Sequence, residues 1–296
     1  MAYRDYKVVV KIPYGRKQTV EVLFNHLYAN KDIVDEVWLL MNTDPDQEED
    51  VVFAERLEKS NPGFIIRKYR PKGDEFREPK QLNTGYFYKY MIDPETIYIR
   101  MDDDLVYIHD DFFKNLLDFR IDNPKYFVVM GHVWNNSIIS YIQQNELGNI
   151  GLDEGKVENK FAMDAVGWMS PTFAEYIHNI LLDHIKVGTV NKLFFDRYEL
   201  IEKQRFSVSC FAFFGKDFAK FNGDLKGEEE EQWITEVHTR KADVINAVCG
   251  TALVSHYAFF AQRPHLEYNT DILDQYKQIS QQKLSDSYYK LLNKAN

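Results

Sequence analysis

Cysteine is scarce in this chain: Cys210 and Cys249 are the only two among 296 residues. Their spacing matches no metal-ligand pattern and offers no disulfide framework. That fits a reducing compartment, and a cytoplasmic protein is expected. Glycine (14) and proline (9) are also few, which excludes collagen-like and low-complexity architectures. No stretch approaches the roughly 18 apolar residues of a membrane span. The opening MAYRDYKVVVKIPYGRK has charges on both sides of a very short apolar run and reads as neither signal peptide nor anchor. Positive charge is in deficit too: 36 Lys and Arg against 46 Asp and Glu leave a net charge of −10. Nucleic acid or an anionic membrane is therefore not expected as a general partner.

What the chain does have is length for one large α/β domain or two smaller ones, and 19 Tyr with 21 Phe. Aromatic rings suit sugar or base stacking, but they also fill cores. Short apolar runs alternate with helical spacing over the first 110 residues. Lys7–Ile12, Glu36–Met41, Phe64–Tyr69 and Thr96–Met101 read as strands. Lys17–Ala29, Asp46–Lys59 and Pro79–Met91 read as helices, and Pro13-Tyr14-Gly15-Arg16 as a turn. This β-α-β order predicts a doubly wound, mostly parallel sheet, with ligands beyond the carboxyl ends of its strands. Helix Asp110–Phe119 and strand Tyr126–Val133 follow. Residues 135–165 are expected as a loop-rich insertion, then a helix over Pro171–Ile185, a strand over Ser207–Phe214, a short helix over Lys216–Phe221, a helix over Glu228–Ala242 and a strand over Val244–Val254. The tail Asp271–Leu292 is amphipathic; it docks on the domain, or alternatively meets a partner or a membrane surface.

At the end of the fourth predicted strand stand three consecutive carboxylates, Asp102, Asp103 and Asp104. Like charges this close raise one another's pKa, so a positive group is expected beside them. Alternation along a strand sends Asp102 and Asp104 to one face and Asp103 to the other. Two convergent carboxylates without cysteine suit a hard divalent cation, Mn²⁺ or Mg²⁺, shared with substrate phosphates. The plainer reading is an acidic turn capping the next helix, but a cap needs one aspartate. Arg67, Lys68, Arg70, Lys72, Arg77 and Lys80 crowd one segment after the third strand, and Arg16 and Lys17 follow the first. They are candidates to hold phosphate oxygens, or a solvated charged loop.

These stretches resemble the nucleotide-binding half of a GT-A fold glycosyltransferase of the family 2 type. The likeness rests on KIPYGRKQTVEVLFNHL, LLMNTDPD, and above all LNTGYFYKYMIDPETIYIRMDDD, with its Asn-x-Gly helix, strand and DXD acids. It continues in CFAFFGKDFAKFNGD, GEEEEQWIT and LVSHYAFFAQR, covering roughly residues 7–110 and 207–263. Asn42-Thr43-Asp44-Pro45-Asp46 departs from the family's usual Asp-Asp-Gly-Ser. The resemblance implies a DXD-containing nucleotide-diphospho-sugar transferase. It would be an inverting, metal-dependent enzyme moving a sugar from a nucleoside-diphosphate sugar, UDP first among them, to a glycan acceptor in polysaccharide biosynthesis. Residues 1–130 would form the nucleotide-sugar half, 131–263 the acceptor and catalytic half, and 264–296 a helical tail.

By the same resemblance Asp104 binds the metal, Asp102 reaches the ribose or a metal-bound water, and His256 completes the metal shell. Pro13, Tyr14, Gly15, Arg16, Asp44, Asn83 and Asp103 line the nucleotide site, and Arg77 or Lys80 approaches the diphosphate. Glu230 or Glu231 is the expected base, Glu231 preferred because an apolar-patterned helix starts directly after it; four acids before a helix also suit its dipole without any catalytic role. Asp164 and Trp168 are candidates to touch the acceptor, by hydrogen bonding and by stacking, though a core tryptophan explains Trp168 equally. Two other readings compete. MDDDLV approximates the Asp-x-Asp-x-[Thr/Val] motif of haloacid dehalogenase-like phosphohydrolases, with Asp102 as nucleophile and Asp104 as acid/base. That motif belongs on a first strand, and three β-α units precede it here. A non-catalytic nucleotide-sugar-binding domain is the second.

Overall fold

The computed structural model describes residues 3–42, 47–71, 80–160 and 162–294, with side chains described for all of these except 80–81 and 287–294. Strand β1 (Lys7–Tyr14) is buried along almost its whole length, as a parallel strand covered on both faces must be. Helix α1 (Lys17–Tyr28) leads to β2 (Glu36–Met41), and α2 (Glu48–Ser60) to β3 (Ile65–Lys68). A 3-10 helix, Lys80–Tyr90, then precedes β4 (Thr96–Met101). Strands β1, β2, β3 and β4 are mutually parallel, in the spatial order β3-β2-β1-β4. The chain therefore winds outward from β1, returns, and continues on its other side. The β1/β4 boundary is the topological switch point, where an α/β sheet opens a crevice at its carboxyl end.

The remainder completes the sheet. It comprises β5 (Leu105–Ile108), α3 (Phe112–Asp122), β6 (Tyr126–Trp134), α4 (Ser137–Tyr141), α5 (Pro171–Lys186), β7 (Arg197–Leu200), β8 (Cys210–Phe214) and α6 (Gly215–Ala219). Then come α7 (Glu230–Gln232), running through a π turn at Trp233–Val237 into α8 (His238–Ala242), followed by β9 (Ile245–His256), α9 (Arg263–Asn269) and α10 (Ile272–Lys294). Beyond β4 the order is β8-β6-β9-β5, with β7 also on β9. β8 runs antiparallel to β4 and β6, and β6 and β9 are parallel. The architecture is the expected α/β sheet with helices wound around it.

Several local expectations change. Pro13 and Tyr14 belong to β1 rather than to a turn, because the register with β2 runs on to Tyr14 opposite Met41. The helix expected from Pro79 is a 3-10 helix; Thr84 and Gly85 are poor α formers at its centre. Residues 135–165 hold α4 and a π turn, capped where the Asn136 side chain accepts from the Ile138 N–H. Strand β5 was not foreseen, and it matters most: Leu105 pairs with His256 of β9, so the three aspartates bridge β4 to a strand four places away. The tail docks. Ile272, Leu273 and Tyr276 of α10 are buried in a cluster with Tyr107 and Leu181, so they are not free for a membrane surface. No helix among the described residues is long and apolar enough to cross a membrane.

Candidate functional site

The switch-point crevice is a cleft of about 400 Å³ whose floor includes Asp102, Asp104 and His256. The turn between β4 and β5 lays out the aspartates. Asp103 turns back to the β1–α1 junction, accepting from the Gly15 N–H at 2.9 Å and from Arg16 Nε at 2.8 Å. Burial pushes its pKa up to about 6, against the pull of Arg16. Asp102 and Asp104 border the cleft, and the Leu105–His256 pairing carries β9 to them. One ligand atom from each of Asp102, Asp104 and His256 lies within 4.8 Å of the other two.

Asp104 is almost wholly buried. Its Oδ2 lies 2.7 Å from Arg263 Nη2, 3.3 Å from Arg16 Nη1 and 3.4 Å from His256 Nε2. Burial alone would raise its pKa, but Arg16, His256 and Arg263 outweigh burial and hold it well below the usual carboxylate range. Asp104 is thus a fixed negative charge. Its other oxygen, Oδ1, is buried with no hydrogen-bond partner among the described residues. An orphaned carboxylate oxygen beside a second carboxylate and an imidazole is the donor set of a hard divalent cation, so these residues fit such an ion.

Arg100, buried on β4, hydrogen-bonds Asp102 with one nitrogen and approaches Glu230 Oε2 at 3.2 Å with another. Glu230 is locked: Lys11 Nζ donates to it at 2.9 Å and the Tyr88 hydroxyl at 2.6 Å. Burial pushes its pKa up, but Arg100, Lys11 and Tyr88 together force it far below normal. A carboxylate so thoroughly paired is a poor proton acceptor, and the expectation of Glu230 as base does not suit its position. Glu229, not foreseen, caps the helix by accepting from the N–H groups of Glu231 and Gln232. The dipole reading of the acidic run therefore describes Glu229. Glu231 borders the cleft and accepts from Arg205 Nε at 2.6 Å. Burial raises its pKa to about 7 despite Arg205.

That value gives a stability test. The folded pKa of Glu231 lies above its ordinary 4.5, so the folded state holds the proton more tightly. Between pH 4.5 and about 7 this group's contribution to stability declines as pH rises, and above pH 7 the loss is complete. Glu231→Gln should therefore gain on the parent across that window in urea denaturation series, then level off. A constant difference from pH 4.5 to 8 would count against the perturbed carboxyl.

The other expected residues divide. Trp168 stands in the cleft wall, edge-on to Phe260 at 5.0 Å between ring centroids. Asp164 does not reach the cleft. It accepts from the N–H groups of Glu158 and Asn159 at 3.1 Å and of Val166 and Gly167 at 2.9 Å, so it organises its own loop rather than touching an acceptor. Gly15 and Arg16 border a second hollow of about 540 Å³ at the start of α1, with Gln47 and Asp50. Tyr14 is buried, its hydroxyl donating to the Asp50 carbonyl at 2.7 Å, and Pro13 lies beside it in β1. Asn83 is fully buried, and its neighbour Thr84 borders the main cleft instead. Asp44 and Arg77 lie outside the described residues, as does the side chain of Lys80. Arg67 is not a phosphate ligand here, because Glu55 and Glu58 of α2 hold it at 2.8 Å each; Lys68 sits over the Trp38 ring. Among the described residues, the arginines that border the cleft are Arg16, Arg100, Arg205 and Arg263. Three of these were not singled out. Only Arg100 carried a local signal, a charge inside an otherwise apolar strand.

No family model matches the chain. No curated protein sequence matches it either. Solved structures do. One is 4-diphosphocytidyl-2C-methyl-D-erythritol synthase from Anaerococcus prevotii, 12% identical, TM-score 0.44, over 93% of this chain and 98% of that one. Another is the inositol-1-phosphate CTP transferase from T. maritima, 10% identical, TM-score 0.47, over 93% and 96%. A third is CMP:2-keto-3-deoxy-manno-octonic acid synthetase complexed with CTP, 14% identical, TM-score 0.38, over 84% and 91%. At these identities the likeness concerns the fold alone. None of the three is named for the transfer of a sugar to a carbohydrate acceptor, and that expectation is withdrawn. The UDP-sugar donor expected with it finds no support among these structures. The phosphohydrolase alternative also loses its footing, since Asp102 follows the fourth strand and not the first.

Proposed function

We propose that this chain is a divalent-cation-dependent transferase that binds the phosphates of a nucleoside triphosphate and passes the nucleotidyl group to an oxygen of a second substrate. The observation that carries the reading is the pairing of Asp102, Asp104 and His256 with four arginines in one cleft at the switch point. Acids and imidazole suit Mn²⁺ or Mg²⁺, and guanidinium groups suit phosphate oxygens. A bound cation would act as a Lewis acid on the phosphate oxygens and offset charge on the leaving diphosphate.

The chain's own groups would do the rest. Arg16 and Arg263, each already on Asp104, are placed to bind phosphate oxygens that enter beside it. The attacking oxygen forms a bond to the α-phosphorus, the α–β bridging bond breaks, and diphosphate leaves. When the nucleophile is a hydroxyl, its proton goes to Glu231, whose pKa of about 7 suits that task. Trp168 and Phe260 supply an apolar wall for the second substrate. On this reading residues 1–130 bring the nucleotide half of the site and 131–263 the half that meets the second substrate.

The test is a thermal-shift panel of CTP, UTP, ATP and GTP with and without Mn²⁺, CTP being the nucleotide named for two of the similar structures. Stabilisation by at least one triphosphate only in the presence of metal is expected. It should be accompanied by diphosphate release when sugar phosphates or polyol phosphates are added. Indifference to every triphosphate with metal present would overturn the proposal.

A further inference from the structure

We propose that Asn135 is a positioning residue that fixes the imidazole of His256 with Nε2 turned toward Asp104; this rests on the cation reading above. Nδ1 of His256 lies 3.3 Å from the carbonyl oxygen of Asn135, while Nε2 lies 3.4 Å from Asp104 Oδ2. A carbonyl oxygen can only accept, so this contact makes Nδ1 the protonated nitrogen and leaves the Nε2 lone pair for a metal.

The carbonyl owes its place to a left-handed backbone, φ +59° at Asn135. Asparagine is among the few residues other than glycine that adopt it readily. The turn ends β6 just after Trp134, which pairs with Ser255 of β9, the residue before His256. Its side chain ties the turn down on the far side. Asn135 Nδ2 donates at 3.0 Å both to the Tyr257 carbonyl and to Gln262 Oε1, and Gln262 Oε1 also accepts from the Phe259 N–H at 3.1 Å. Asn135 and Gln262 are both fully buried, and neither borders the cleft. Helix α4 does not need Asn135, since Asn136 caps it. The bonds of Asn135 go instead to the segment that carries His256 and Arg263. They clamp the imidazole from behind, through a backbone carbonyl, in the way that outer partners orient metal-ligating histidines.

The experiment is Mn²⁺ titration of the full chain, followed by the electron paramagnetic resonance of free Mn²⁺. It compares the parent with Asn135→Ala, Asn135→Gly, His256→Ala and, as a control for general loss of core packing, Leu182→Ala, a buried residue that does not border the cleft. Asn135→Ala should weaken Mn²⁺ binding about tenfold or more, toward the level of His256→Ala. Asn135→Gly accepts the left-handed backbone freely, keeps the carbonyl and loses only the ties, so it should fall between. Leu182→Ala should lower the melting temperature and leave Mn²⁺ affinity alone. Ring ¹⁵N shifts of His256 in the Mg²⁺-loaded parent should report protonation at Nδ1, a readout that does not depend on any variant folding. Unchanged affinity in both Asn135 variants, equal weakening by Leu182→Ala, or protonation at Nε2 would overturn the positioning role and leave the cation reading standing. A parent that binds no Mn²⁺ would overturn both.

Discussion

Asp104→Asn should abolish metal-dependent binding of nucleotide without weakening, and if anything raising, whatever slight affinity the cleft has for phosphate in the absence of metal. The substitution keeps the shape and removes one negative charge from a buried position. That carboxylate offers the orphaned Oδ1 to a cation and balances Arg16 and Arg263 through Oδ2. Losing a direct ligand should cost more Mn²⁺ affinity than the roughly 10–100-fold typical of losing an outer partner. The two arginines, no longer neutralised, would attract phosphate more strongly on their own. The two effects have opposite signs, which makes the result diagnostic. Isothermal titration of a triphosphate with and without Mn²⁺ measures both. A variant that keeps the parent's metal dependence would place the cation elsewhere, or nowhere.

Glu230→Ala should be the most destabilising single change near the cleft, through folding rather than through chemistry. Glu230 is the shared counter-ion of Lys11 and Arg100, both buried. Removing one member of a buried charge set leaves the others unpaired and costs about 3–5 kcal/mol. Burial already lowers the Lys11 pKa to about 7, with Glu230 opposing that shift. Without Glu230 the lysine should lose its proton more readily still. The unfolded chain would then bind the extra proton already below neutrality, so the variant's stability should begin to climb at a lower pH than the parent's. Adding Lys11→Met should recover part of the loss by removing one uncompensated cation, whereas the same change in the parent should be harmful. Urea denaturation of the four combinations measures the coupling. Additive effects would show that the network does not act as a unit. Because Arg100 also holds Asp102, the loss should extend to the metal site, so stability and Mn²⁺ affinity should be read together.

How far these residues could be anticipated depended on whether the relevant partner lay nearby in the chain. The strand–helix alternation of the first 110 residues was legible because each unit closes on its neighbour: β1, β2 and β4 appear where apolar runs placed them. The placing of Asp102, Asp103 and Asp104 was expected from strand alternation, but β4 ends at Met101 and a turn sets their directions. Strand β5 escaped notice because four apolar residues after an acidic turn carry no period of their own, and only pairing with β9 makes them a strand. Arg67 looked like a phosphate ligand until α2 supplied Glu55 and Glu58. Glu230 and Glu231 are adjacent and alike in sequence. A helix start turns one inward, onto Lys11 and Arg100, and leaves the other at the cleft edge with Arg205.

The sequence by itself determined the α/β order, the apolar strands that must be buried on both faces, and the presence of a carboxylate cluster at a strand end. Those properties are local, set by side-chain period and by charge along a few residues. The tertiary structure alone decided which charges neutralise one another. It brought His256, Arg263 and Arg16 onto Asp104 across 152, 159 and 88 positions of chain and sealed Glu230 between cations. Electrostatic interaction depends on distance and burial, and only the folded sheet sets these for residues so far apart.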